Sequence, residues 1–589
     1  MNYNLNEILK KKKGRKKSTL ASFRHLLSMM VEEKRLLAYA LIAIFFNSLL
    51  RLLSPLLIGY TIDHYVQTKQ YHGVLVFSGI LLSMYLITLV TGYLQTKLMG
   101  TVGQRMLYTL RNSVFTKLQE LPVDFFNQNK AGDLISRINN DTDKLNQFFS
   151  QSLMQFMGSV FTMVGAGIFL LSINLPLGAA SLAPAVLLYV FTYLLSPWVK
   201  RKNAESLKST GFLSAEIQES LNNFRVIIAF NRRDYFRERF DEANRQNYTT
   251  AVKAGLANYI FMPVYTFFSN IGQLIVLAFG IYLISTGHFT VGFLISFLAY
   301  VNNFYNPLRQ LAALWANLQV ALAGWDRIAR ILSLKTNLKP VEEKVNKESN
   351  GELLTFKNVS FHYPNGKDVL HTINFSLGKG KTYAFVGPTG GGKTTTASLM
   401  ARLYDPSVGN IYLDGKDLRS YTARERTAKI GFILQDPFLF TGNVRDNILY
   451  GNDFFRNHSN GELTRVLRET GLETLLERFD DGLETRVETS GDSISLGQKQ
   501  LIAFMRAVLR RPELLILDEA SANIDTVTEQ LLDRILNKLP RSTTRVIIAH
   551  RLNTIENADE IYFVNSGELT RAGSLDEAVD MLLNRKRAS

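Results

Sequence analysis

Two stretches of this chain, between Lys144 and Lys200 and between Lys253 and Arg309, contain no Asp, Glu, Lys or Arg. Each is roughly 55 residues long, room for two membrane spans of about 20 to 25 residues and a short turn. A soluble core can bury one such helix, but hardly two consecutive hairpins of this length. With 589 residues the chain is too long for one compact core, and it divides by composition. Roughly the first 310 residues hold the long uncharged stretches, and the rest has the mixed polarity of a globular domain.

Six spans are expected: about Leu36 to Tyr60, Val74 to Leu94, Leu153 to Leu175, Leu177 to Trp198, Tyr259 to Ile284 and Val291 to Tyr305. Long polar segments, Lys97 to Lys144 and Lys200 to Lys253, follow the second and fourth. The latter carries 11 Lys or Arg against 7 acids, whereas the three short loops hold only Asp63 and Lys69 as charged residues. Basic long loops inside and nearly bare short loops outside put both termini in the cytoplasm, in a multi-pass protein of the cell membrane. The long segments exceed mere connectors. Their apolar residues at helical spacing, Leu145–Phe148–Phe149 and Ile217–Leu221–Phe224–Val226, predict membrane helices that run on into the cytoplasm, each pair ending in a short cross-helix. The first cross-helix region is expected at Leu121 to Phe126 followed by Gly132 to Arg137. The second is expected near Asn231 to Phe236.

The formal net charge of +16 raises the question of nucleic acid, but its distribution argues against that partner. Seven positive charges fall in one run from Lys10 to Lys17, three more sit at Arg585, Lys586 and Arg587, and others lie beside the apolar segments. That pattern suits topology signals and attraction to anionic lipid headgroups, not a basic stripe within a folded domain. With no cysteine there is no disulfide, thiolate metal site or cysteine nucleophile. No small-residue cleavage site follows the basic run and first apolar segment, so the N-terminus is expected to be retained.

After a polar linker near Lys335 to Asn350 the pattern changes to strands, Leu353 to Phe361 and Thr382 to Val386. The second runs into Gly387-Pro388-Thr389-Gly390-Gly391-Gly392-Lys393-Thr394-Thr395 and an apolar helix. This is the phosphate-loop pattern in its required strand–loop–helix setting. The glycines let backbone N–H groups wrap phosphates, Lys393 supplies a cation to the β- and γ-phosphates of ATP, and Thr394 ligates Mg²⁺. Downstream, Leu514 to Leu517 reads as a buried parallel strand ending in Asp518 and Glu519. Asp518 is placed to hold Mg²⁺ through water, and Glu519 to orient or deprotonate an attacking water. A further apolar run, Val546 to Ala549, delivers His550 to the same edge. Gln435 follows the expected strand Gly431 to Leu434, where its side chain can contact Mg²⁺ and the water.

In the order and spacing of these motifs the whole chain resembles a half-size ATP-binding cassette exporter of the type IV multidrug fold. The resemblance implies an all-α six-helix transmembrane domain with long cytoplasmic extensions and a C-terminal α/β P-loop ATPase. The expected boundaries are a basic tail and elbow helix at 1–35, the membrane domain at 36–330, a linker at 331–350 and the nucleotide-binding domain at 351–589. It implies that Tyr363 stacks on adenine, that Ala522 to Asp525 crosses between two cassettes, and that the two cross-helix regions are coupling helices.

The chain departs from the family at its signature. Where the pattern is Leu-Ser-Gly-Gly-Gln, this sequence has Ile494-Ser495-Leu496-Gly497-Gln498, and Val487 to Gly491 also differs from the family's Val-Gly-Glu-Arg-Gly. In the family this segment opens a helix whose N–H groups and serine meet the ATP held by the opposite cassette. A leucine there places a bulky side chain where glycine permits close approach. The phosphate loop, Glu519 and His550 conform to the family pattern. A heterodimer is therefore expected, with this chain keeping the catalytic carboxylate and its partner supplying a normal signature. A homodimer, in which Leu496 is tolerated, is the alternative.

The spans contain one clear ionisable residue, Arg51, either functional or merely paired or snorkelling. Asn47, Asn270, Gln273, Asn302, Asn303 and Asn306 suit either a cavity lining or bonds between helices. Spans five and six are rich in Phe and Tyr, as an amphipathic or aromatic substrate would want and as lipid-facing packing would also give. Export of amphipathic small molecules by alternating access is the leading expectation. A flippase for a lipid or lipid-linked precursor and an ATP-gated channel are the alternatives.

Overall fold

The computed structural model describes residues 3, 5, 33–335, 341, 351–363, 366, 368–488, 494–518, 526–548 and 558–586. The chain forms two compact units. One contains Arg15–Leu118 and Gly132–Ser333; the other contains Met1–Gly14, Gln119–Ala131 and Leu334–Ser589.

Among the described residues the first unit is helical. Its long elements are α1 (Lys34–Val66), α2 (Tyr71–Gln119), α4 (Ala131–Ile173), α5 (Leu175–Asn222), α7 (Arg233–Ser285) and α8 (Val291–Ser333). Short helices α3 (Val123–Gln128) and α6 (Phe224–Ala229) fall between α2 and α4 and between α5 and α7. Among the described residues, the first five long helices are long and apolar enough to cross a membrane. The sixth, α8, is a 43-residue helix, but Asn302, Asn303 and Asn306 dilute its apolar stretch. At about 1.5 Å per residue, helices of 48 or 49 residues outrun a hydrocarbon core of about 30 Å.

Small residues and buried polar bonds hold these helices together, as they must where lipid removes the hydrophobic drive for association. Gly59 on α1 and Gly292 on α8 approach so closely that a Cβ on Gly292 would lie 2.0 Å from the Gly59 carbonyl oxygen. Beside them the Ser296 hydroxyl donates to the Pro55 carbonyl at 2.8 Å, and the Tyr300 hydroxyl to that of Leu52 at 2.6 Å. Three of the polar residues expected either to line a cavity or to bond between helices do the latter. Asn47 donates to the Thr88 carbonyl and the Thr91 hydroxyl, both at 2.9 Å, and Gln273 donates to Asn302 at 3.0 Å. Arg51 lies on the exposed side of α1.

The cross-helices correct one boundary. Residues 123–128 form α3, but Gly132 to Arg137 belong to the rising helix α4, not to the cross-helix region. The chain reverses at Asn129, whose extended backbone (φ −131°, ψ 134°) ends α3 before the glycine is reached. The two apolar patterns also part company. Leu145, Phe148 and Phe149 are buried in α4, whereas Leu221, Phe224 and Val226 are exposed around α6.

The second unit holds the α/β cassette. A six-stranded sheet has the order β12-β11-β3-β10-β9-β6, built from β3 (Thr382–Val386), β6 (Ile430–Ile433), β9 (Leu514–Asp518), β10 (Thr544–Ile548), β11 (Glu560–Asn565) and β12 (Glu568–Ala572). All neighbours pair in parallel except the edge pair β11–β12. Every residue of β3 and β9 is buried, as their unbroken apolar runs require of parallel strands covered on both faces. A four-stranded antiparallel sheet of β1 (Glu352–His362), β2 (Asp368–Gly378), β4 (Val408–Leu413) and β5 (Lys416–Asp417) packs its Phe356, Phe361 and Phe375 into the same core as β3, and β7 (Gly442–Asn443) pairs with β8 (Arg486–Val487).

Candidate nucleotide site

Open parallel sheets collect ligands at the carboxyl ends of their strands, and the register here aligns three such ends. Phe385 of β3 and Asp518 of β9 both pair with Ile548 of β10. The phosphate loop leaves β3 two residues later and feeds α9 (Lys393–Met400), whose N-cap is Gly392 at φ 114°. Gly387, at φ 142°, has no room for a side chain, since a Cβ would fall 2.0 Å from the Val564 carbonyl oxygen. Left-handed turns at both ends of the loop turn its backbone N–H groups together at a helix N-terminus, an arrangement that suits anionic phosphate.

Lys393 is buried, and its ammonium donates to the carbonyls of Gly387 and Pro388 at 2.8 and 3.0 Å. One residue on, the Thr394 hydroxyl donates to the Asp518 carboxylate at 3.2 Å. An alcohol and a buried carboxylate, brought together beside a phosphate loop, are the hard oxygen donors that Mg²⁺ prefers. The donor set fits that ion.

Tyr363, just past β1, shares a 3.1 Å hydrogen bond with the Thr395 hydroxyl, which ties this aromatic to the first turn of α9. Its ring meets Phe361 and Tyr404 edge to face, with centroids 4.9 and 5.4 Å apart. The Tyr404 hydroxyl in turn accepts from Asn127 of α3 at 2.7 Å. Burial pushes the Tyr404 phenol above its ordinary range, so it remains a neutral hydrogen-bonding group at physiological pH. Neither Asn127 nor Tyr404 announces itself in the sequence, because nothing local links residues 277 positions apart.

The other expected site residues are placed less closely. Gln435 lies exposed two residues beyond β6, which ends at Ile433, one residue earlier than the sequence suggested. Ser495 caps α10 (Leu496–Val508) through a complete capping box with Gln498. Gln498 also donates to the Arg478 carbonyl at 2.8 Å. Leu496, the residue that departs from the family signature, is the first residue of α10, and it is 43% exposed. Gly497 follows it in the same first turn. Glu519, His550 and the stretch Ala522 to Asp525 lie outside the described residues.

Comparison with known proteins agrees with this arrangement. Residues 37–308 match the family model for the ABC transporter transmembrane region, and residues 370–522 match the ABC transporter model. An uncharacterized ABC transporter ATP-binding protein of Bacillus subtilis is 34% identical across 97% of this chain and 94% of its own length. A fatty acid ABC transporter ATP-binding/permease protein of Mycobacterium tuberculosis is 33% identical, covering 84% of this chain and 77% of its own. A multidrug resistance ABC transporter ATP-binding and permease protein of Lactococcus lactis is 30% identical, covering 85% and 84%. Matched along nearly its whole length, with a helical membrane unit preceding an α/β cassette, the chain belongs to the ABC transporter family.

Proposed function

We propose that this chain is one subunit of an ATP-driven exporter of amphipathic small molecules that works by alternating access. The observation that carries the reading is the Thr394–Asp518 hydrogen bond, which draws the phosphate loop and the acidic strand end into one site at the edge of the sheet. In this reading the loop backbone and Lys393 hold the phosphates of ATP, Tyr363 stacks on its adenine, and Thr394, Asp518 and Gln435 hold Mg²⁺. Bound there, Mg²⁺ would neutralise charge on the phosphate oxygens. Glu519 takes the proton of the attacking water, and His550 steadies that water and the phosphate edge. The membrane domain spans 36–330 and the cassette 351–589, joined by the linker 331–350 and preceded by the basic tail at 1–35. The termini and cassette lie on the cytoplasmic side of the cell membrane.

A second half-transporter is part of the proposal. The exposed Phe224, Val226 and Phe230 around α6 form an apolar surface that suits docking on a partner cassette. The exposed Leu496 supports a heterodimer, since two such signatures would crowd both sites of a homodimer, and Ser495, Gly497 and Gln498 would complete only the partner's site. Relatives named for multidrug resistance and for fatty acid transport support an amphipathic substrate, and the latter keeps lipid-like cargo as the second reading. The test is ATP-dependent accumulation of an amphipathic dye in inside-out vesicles holding this chain and a co-expressed half-transporter. Uphill accumulation supports export. Passive conductance without accumulation overturns it in favour of a channel.

A further inference from the structure

Tyr3 and Leu5 are each only 1% exposed. Two adjacent side chains at the end of α3 hold them. Gln128 accepts from the Tyr3 backbone N–H at 2.9 Å. Asn129 donates its amide to the Tyr3 carbonyl at 3.0 Å and accepts from the Leu5 N–H at 3.2 Å. Asn129 thus bonds the backbone at both Tyr3 and Leu5, and its second amide hydrogen goes to the Phe125 carbonyl at 2.7 Å. The Tyr3 ring meets Phe125 edge to face at 6.4 Å, and its hydroxyl donates to the Lys335 carbonyl at 3.1 Å. Residues 3, 125–129 and 335 belong to the same compact unit.

We propose that the end of α3 is a peptide-recognition surface whose occupant is the chain's own Tyr3–Leu5 segment, and that this strap sets nucleotide affinity through α3. Three backbone bonds to two amide side chains give the segment a fixed register, and the buried Tyr and Leu rings and branches supply the apolar contact that offsets its ordering. One residue before Gln128, Asn127 bonds Tyr404, Tyr404 packs on Tyr363, and Tyr363 bonds Thr395 of the phosphate loop. Strap, cross-helix and site form an unbroken line of contacts. The strap lies outside the residues matched by the transmembrane family model, which begins at 37. It is a feature of this chain beyond that region.

The absence of cysteine makes the docking directly testable. Tyr3→Cys with Gln128→Cys in the full chain, treated with a short reducible bis-thiol reagent, is expected to join in most molecules within one chain. Failure to join above the level of either single-cysteine variant overturns the docking. The functional half rests on the ATPase reading and is measured in the co-expressed pair. Tyr3→Ala and Asn129→Ala are expected to raise the KM for ATP about three- to tenfold with kcat held within twofold. Tyr3→Phe, which loses the bond to Lys335 and keeps the ring, should fall between them and the unaltered pair. A synthetic peptide of residues 1–9 should return KM to normal in a variant lacking residues 2–9. An unchanged KM in both alanine variants overturns control by the strap. An unaltered pair without ATPase activity would instead overturn the exporter reading, and the crosslink would still decide the docking.

Discussion

Arg327 grips Asp141 with two hydrogen bonds of 2.6 Å, Nε to one carboxylate oxygen and Nη2 to the other. The pair joins α4 to α8 where Gly324 lets the backbones close, since a Cβ there would lie 3.2 Å from the Asp141 carbonyl oxygen. Asp141 is buried, whereas Arg327 is about one-third exposed. Asp141→Ala should therefore cost about 2 to 3 kcal/mol, at or just below the range of about 3 to 5 for breaking a fully buried pair, because Arg327 is partly exposed. Arg327→Lys should restore little, because an ammonium cannot grip both oxygens. Asp143→Ala, which breaks the exposed pair with Arg111, should cost less than about 1 kcal/mol. Thermal unfolding of the detergent-solubilised protein separates the three.

The same pair predicts a pH dependence with a definite sign. Burial pushes the Asp141 carboxyl upward, but the hydrogen bonds and charge of Arg327, helped by Lys144, outweigh it and hold the group below its ordinary range. Its stabilisation is therefore complete above the unfolded value of about 3.9 and is lost as pH falls through the lower folded value. Between pH 5 and 8, the stability gap between unaltered protein and Asp141→Ala should stay constant. It should narrow only in stronger acid. A gap that closes already near pH 6 would contradict the assigned pairing.

At the phosphate loop, Thr394→Val keeps the side-chain shape and removes the hydroxyl that bonds Asp518. Hydrolysis by the co-expressed pair should fall by about 10²-fold or more, while a fluorescent ATP analogue still binds in the absence of Mg²⁺. Hydrolysis within twofold of normal would remove Thr394 from the metal site.

Leu496→Gly sets two effects against each other. Glycine at the first position of α10 costs up to about 1 kcal/mol of helix stability. It also clears the surface that a partner's nucleotide would meet. The chain expressed alone should hydrolyse ATP slowly, and Leu496→Gly should raise its turnover despite the weaker helix. Turnover of the unaltered chain alone equal to that of the pair would sink the heterodimer.

Tyr363 predicts a further split. Tyr363→Ala should raise the KM for ATP by roughly fivefold to tenfold, equivalent to about 1 to 1.4 kcal/mol of lost ring contact. Tyr363→Phe keeps the ring and loses only the bond to Thr395, so its KM should stay within about threefold. Equal effects from both would assign the residue to positioning Thr395, not to stacking.

What the sequence made readable was local. Strand β3 at Thr382–Val386 and the glycines that follow it are each dictated by short-range patterns, an apolar run and a glycine-rich turn, whereas the start of α10 was expected from the family resemblance and is fixed in the structure by a capping box. The cross-helix region expected from Leu121 through Arg137 ends earlier, because the helix stops at Asn129, a residue whose side chain is also drawn into bonds with Tyr3. The Asn127–Tyr404 bond and the Arg327–Asp141 pair join partners 277 and 186 positions apart, and no periodicity reports such pairings. Asparagines in α8 were ambiguous for a different reason. A polar residue among apolar ones suits a cavity or a neighbour equally, and for Asn302 the placement of Gln273 against it decides between them.

The bond from Tyr3 to Lys335 also has a consequence in time. Its two ends are separated by 332 residues. At about 5 to 20 residues per second, the ribosome delivers the second end roughly 15 to 70 s after the first. Throughout that interval Tyr3 has no Lys335 to meet, and the six long helices are all made before the two can join. The strap can dock on Gln128 and Asn129 much earlier, so the bond to Lys335 is a late lock on it, one that forms only on a chain whose six long helices are already made.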